Sequence, residues 1–208
     1  MNPFGDQLLN VITYVPLAGA LVLLLLPKEK NELIARLATA FAGLGVVVSL
    51  PLWFAWQSAP VDGHGFRFVF ETNWIPSIGA KYIVGVDGIS MLLVLLTTIM
   101  GFIAILSSWT AIQTRVKGFY VFMLILQTGM LGVFVSLDLF LFYIFWEVML
   151  VPMYFIIGIW GGKRKLYAAI KFFLYTLFGS VLMLLGIIAL YFYHQKVTGD
   201  FTFDIRYL

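Results

Sequence analysis

The chain has 208 residues, 62% of them hydrophobic and only 11% charged, with a mean hydropathy of +1.01; a soluble domain, about a quarter charged, has no core that could hide so much apolar surface. With no cysteine, it cannot build a disulfide, a thiolate zinc site or an iron–sulfur cluster. Its net charge of +3 is carried mostly by short basic loops between apolar runs, a pattern that reads as membrane topology rather than a nucleic-acid surface.

Runs of about twenty apolar residues match a hydrocarbon core of about 30 Å. They predict an all-α polytopic membrane protein, one transmembrane domain of about six helices. The first is expected at residues 7–26. No Lys or Arg precedes it and Asp6 is the only charge before Pro27, so it is read as a retained helix rather than a cleaved leader. The second span is expected at 33–56, followed by an external loop at 57–86. In that loop Phe66, Phe68 and Phe70 alternate with Arg67, Val69 and Glu71. This alternation fits a short strand paired with residues 81–84, and it fits an irregular interfacial loop equally well. His64 in the loop and His194 after the last span each stand alone and are read as surface histidines, because a metal site needs partners at ligand spacing.

The remaining spans are expected at 87–112, 118–136, 138–160 and 166–193. Alternate loops then fall on opposite sides. Lys28, Lys30, Arg36, Arg115, Lys117, Lys163, Arg164 and Lys165 lie on one side; Arg67, Lys81, Lys196 and Arg206 lie on the other. The positive-inside rule makes the first side cytoplasmic and puts both termini outside. Asp138 is expected to mark the external end of the fifth span. The polar but uncharged Gln127, Thr128, Thr176 and Ser180 are read as groups that hold helices together.

The chemistry is expected at Glu147. It lies about nine residues into the fifth span, roughly 14 Å deep, where an ionised carboxylate costs about 2.5 to 3.5 kcal/mol on insertion scales. An intramembrane acid of this kind suits a proton carrier. The competing reading is a protonated Glu making one interhelical hydrogen bond. Tyr143 stands one turn before it and Tyr154 two turns after on nearly the same face, both able to hold water or relay a proton. Pro152 has no amide to offer the Val148 carbonyl and is expected to bend the helix beside Glu147. Lys171 is a second candidate relay, about 8 Å deep in the sixth span, with a snorkelling membrane anchor as the alternative. It is offset from Glu147 by roughly 13 Å along the membrane normal, too far for a direct ion pair. No G-x-G-x-x-G after a strand, P-loop or H-E-x-x-H occurs, so no nucleotide or catalytic metal is expected on this chain.

The run from Phe145 to Gly162 (FWEVMLVPMYFIIGIWGG), with GVDGISMLLVLLTT at 85–98 and AAIKFFLYT at 168–176, resembles subunit M of bacterial proton-pumping NADH:quinone oxidoreductase, respiratory complex I, and its mitochondrial counterpart. The resemblance covers essentially the whole chain. It implies an antiporter-like subunit of a bacterial inner membrane, partnered by other membrane subunits and moving protons. NADH, FMN, iron–sulfur clusters and quinone would then belong to other subunits. It also implies that Glu147 is the channel glutamate. Family members carry about fourteen helices, including a broken seventh helix whose lysine pairs with that glutamate; the chain stops before it, so it is expected to be a truncated form that does not pump alone. A subunit of a multi-subunit sodium/proton antiporter or membrane-bound hydrogenase is the alternative, and a purely structural fragment is the third.

Overall fold

A computed structural model describes residues 5–208. It contains α1 (Leu8–Leu25), α2 (Asn31–Phe54), β1 (Arg67–Ile75), β2 (Ala80–Val86), α3 (Gly88–Ala111), α4 (Val116–Val135), α5 (Leu139–Trp160) and α6 (Lys165–Thr198). Among the described residues, all six helices are long and apolar enough to cross a membrane. The chain is therefore a multi-pass membrane protein.

The helix ends have local causes. Asp87 begins α3 with a capping box, accepting from the amides of Ile89 and Ser90 while the Ser90 hydroxyl accepts from the Asp87 amide. At the other side of the bundle, the Lys117 ammonium donates to the carbonyls of Leu24 and Leu26 at 2.9 and 2.7 Å, closing the C-terminus of α1 with a positive charge. The last helix runs 34 residues and stops at Gly199, whose φ of 88° suits a glycine C-cap. At 1.5 Å per residue it is longer than the hydrocarbon core is thick, so its final turns stand clear of the membrane.

α4 is the axis of the bundle: 56% of its apolar window is buried, against 11% for α6 at the edge. It packs against α1, α2, α3 and α5. Contact with α5 is close because two glycines face it. A Cβ on Gly132 would lie 2.2 Å from the Phe145 ring, and one on Gly129 would lie 2.6 Å from Met149. Small residues serve this purpose between helices in lipid, where dispersion contacts replace the hydrophobic drive.

The 57–86 connection forms an antiparallel hairpin rather than an irregular loop, pairing Glu71 with Ile83 and Asn73 with Lys81. Strict alternation fails at Phe68, which has φ of 55°, is buried, and falls where the register shifts between Arg67 and Phe70. The hairpin is extended by two further backbone segments. Ser136 bridges Val84, and Asp138 bridges Asp204 in the stretch that follows α6. Gly79 turns the hairpin at φ 69°, and a Cβ there would meet the Phe201 carbonyl at 2.3 Å. The result is a cap that ties both hairpin strands, the start of α5 and the end of the chain into one hydrogen-bonded layer.

Candidate functional site

α5 begins at Asp138, which is fully buried and makes three backbone hydrogen bonds. Its Oδ1 accepts from Phe140 at 2.9 Å and Leu141 at 3.0 Å, and its Oδ2 accepts from Lys81 at 3.0 Å. Burial pushes this carboxyl above the usual 3.8, opposed by those amides and assisted by repulsion from Asp204. The sequence marks it as a helix end; its role in locking α5 to the hairpin depends on the tertiary fold.

From that fixed start α5 runs unbroken to Trp160, through Pro152. Glu147 lies in its middle, about 12 Å from the first residue of the helix. Its Oε1 is buried and makes no hydrogen bond among the described residues. The Tyr143 phenol, one turn earlier, is turned both to the Glu147 carboxyl and to Ser180 on α6. Ser180 is itself buried and donates to the Leu177 carbonyl at 3.0 Å. Glu147, Tyr143 and Ser180 therefore form a polar locus at the α5–α6 interface, within an otherwise apolar stretch.

Tyr154 closes the same interface lower down. Its ring meets Phe173 of α6 edge-on at 5.6 Å and Phe155 at 5.4 Å. Pro152 is buried beside it and supplies no amide to the Val148 carbonyl. The helix continues through Pro152, which frees one acceptor a single residue from Glu147.

Lys171 lies elsewhere. It is exposed on the outward face of α6, with its ammonium 5.8 Å from the Tyr167 ring and among Ile170, Leu174 and Phe178. Gly158 and Ala169 face each other across α5 and α6, which sets Lys171 about nine residues, roughly 13 Å, below the level of Glu147.

Two polar features lie away from the Glu147 locus, and in the sequence they read only as a helix-holding amide and an external cation. Gln127 on α4 is 1% exposed, with neither amide atom hydrogen-bonded, and is pressed against Gly101 of α3. Beyond the membrane, Arg206 gathers the acids of the cap. It holds Asp204 through a fork of three contacts between 2.7 and 3.1 Å, Glu71 at 2.7 Å and Asp62 at 3.5 Å, and its side chain is only 8% exposed. In the sequence these four residues are scattered over 145 positions and carry no common motif. Among the described residues, no group of three or more His, Asp or Glu side chains could hold a metal ion.

The comparisons with known proteins agree with this architecture. A family model described as "NADH:quinone oxidoreductase/Mrp antiporter, TM" matches residues 136–206, the stretch from the start of α5 to the Arg206 cap. NADH-quinone oxidoreductase subunit M of Rhodobacter capsulatus is 46% identical over 190 residues, covering 89% of this chain and 36% of its own. NADH-ubiquinone oxidoreductase chain 4 of Chondrus crispus is 43% identical, covering 95% of this chain and 39% of its own. Among solved structures, a chain of respiratory complex I from Thermus thermophilus with bound NADH superposes with a TM-score of 0.77 at 26% identity, covering 96% of this chain and 38% of that one. The chain has the antiporter-like membrane-subunit fold and is a relative of subunit M over the part it spans. That part is less than two fifths of the length of these two curated relatives.

Proposed function

We propose that this chain is part of a proton-translocating membrane subunit of an NADH:quinone oxidoreductase, in which Glu147 takes up and releases the proton in mid-membrane. The observation that carries this reading is the Glu147 Oε1 atom, buried at the α5–α6 interface with no hydrogen bond. A carboxylate oxygen left without a donor is costly in lipid unless a proton or water reaches it. Tyr143 faces that carboxyl and Ser180 together, and its single phenolic proton can be donated to Glu147 or to the Ser180 oxygen, whose own proton goes to the Leu177 carbonyl.

The Val148 carbonyl freed by Pro152 supplies a further acceptor one residue away, and Tyr154 lines the interface two turns on. Lys171 serves as a relay reached through water rather than by contact, given its 13 Å offset in height. The redox groups, NADH, FMN, iron–sulfur clusters and quinone, sit on other subunits, and other membrane subunits are the partners. The membrane is a bacterial inner membrane with the basic loops inside and both termini in the periplasm.

The test is Glu147→Gln in the complete subunit within its complex, in sealed vesicles. Proton translocation driven by quinone reduction is expected to fall by at least about a hundredfold, the low end of the usual effect of a positioned acid–base group. Unchanged translocation would contradict the proposal. Proton flux driven by a sodium gradient, without quinone, would instead favour an Mrp-type antiporter.

A further inference from the structure

At the end of the bundle bearing the basic loops, a cleft of about 700 Å³ opens between the end of α1 and the start of α4. Its mouth carries Lys28, Arg115 and Lys117, and its wall is made by Leu24, Phe122 and Ile125; no acidic residue lines it. Lys28 and Arg115 are exposed and form no ion pair among the described residues, while Lys117 spends two hydrogen bonds on the α1 carbonyls and keeps its charge. Arg115 adopts φ 50°, a left-handed conformation that costs about 1 to 2 kcal/mol for a residue other than glycine.

The depth of the cleft fits the membrane boundary. Trp160 lies at the level of Gly118 and its indole N–H donates to the Thr114 carbonyl at 2.8 Å, as an interfacial tryptophan does. Ile125 lies eight residues beyond Lys117, about 12 Å further into the hydrocarbon. Cations at headgroup level above an apolar wall that descends into the acyl region are complementary to one ligand class. We infer that this cleft binds an anionic phospholipid of the leaflet on the basic-loop side, its phosphate held by Lys28, Arg115 and Lys117 and an acyl chain lying against Leu24, Phe122 and Ile125. A zwitterionic lipid fills the apolar wall equally well but leaves three cations without net compensation. A soluble phosphate gains nothing from the wall.

The inference is independent of the role given to Glu147. It is tested on the complete protein in its complex, in nanodiscs containing a photoactivatable phosphatidylglycerol or the matched phosphatidylcholine, with labelled peptides mapped by mass spectrometry. Each cation near an anionic surface contributes about fivefold in affinity. The phosphatidylglycerol probe is therefore expected to label residues 115–125 at least about fivefold more than the phosphatidylcholine probe. Lys28→Gln with Arg115→Gln, both at exposed positions that leave Lys117 and the α1 cap intact, is expected to lower the preference at least about fivefold. Lys163→Gln with Arg164→Gln takes the same charge from the same side and is expected to preserve it. Equal labelling by both lipids would overturn the inference. So would a preference undiminished by Lys28→Gln with Arg115→Gln, no labelling of the segment by either probe because protein covers the cleft, or full displacement by glycerol phosphate.

Discussion

Tyr143 and Glu147 stand one turn apart on α5, and the Tyr143 phenol is turned to the Glu147 carboxyl and to Ser180 of α6 at once. Tyr143→Phe keeps the ring and removes only that hydroxyl. A hydrogen bond to a charged group contributes about 1.5 to 3 kcal/mol. Proton translocation in the complete subunit is expected to slow by about tenfold or more. A rate equal to that of the parent would remove Tyr143 from the pathway.

Gly132 and Phe145 set the distance between α4 and α5, and so the position of the helix that carries Glu147. A Cβ at 132 would lie 2.2 Å from the Phe145 ring, and overpacking of this kind costs about 1 to 3 kcal/mol. Gly132→Ala is expected to lower the unfolding temperature in detergent, and Phe145→Leu in the same chain is expected to restore part of it. An unchanged unfolding temperature in Gly132→Ala would show that the two helices can separate freely.

The cap gives a pH dependence with opposing signs. Lys81 first, then Arg206, holds the Glu71 carboxyl below its usual 4.5. Its contribution to the folded cap is thus complete above that value and is lost as pH falls through the lower folded value. Asp138 lies the other way: burial and Asp204 raise it, so its contribution is complete below 3.8 and is lost as pH rises through the folded value. Arg206→Gln leaves Asp204 buried beside Asp138, and removing one partner of a buried pair costs about 3 to 5 kcal/mol. Amide exchange of residues 81–86 and 203–205 is expected to quicken in Arg206→Gln at neutral pH. In the parent, protection relative to the intrinsic exchange rate is expected to fall as pH drops below 4.5 towards the lower folded value of Glu71. Asp138→Asn keeps an oxygen for the Phe140 and Leu141 amides but turns an NH2 group towards the Lys81 amide, so it is expected to quicken exchange at Lys81 at neutral pH.

Lys171 is exposed and about 13 Å in height from Glu147. Lys171→Gln is therefore expected to reduce translocation by less than about threefold, far below the effect of Glu147→Gln. Equal losses in the two variants would require a direct link between them.

The sequence shows most of what depends on one helix at a time. Apolar run length locates the spans, and a single acid at mid-depth draws attention to Glu147 without any tertiary contact. What crosses between elements is not legible in the same way. Gly132 and Gly129 read as two of nineteen glycines until α5 lies against them. Arg206 reads as one external cation, because its acids arrive from positions 62, 71 and 204 only when the cap closes. Phe68 sits in a run that alternates on paper, and the bulge that breaks it arises from pairing with β2. Tyr143 and Ser180 meet because α6 returns antiparallel to α5, a relationship that neither segment carries alone.

Under the proposed function, a proton arrives at and leaves the Glu147 carboxyl during turnover. Infrared difference spectroscopy of the complete complex, triggered by NADH, measures this directly. A carboxyl C=O band that changes on turnover is expected in the parent, shifted in Tyr143→Phe and absent in Glu147→Gln. Identical difference bands in the parent and in Glu147→Gln would contradict the account.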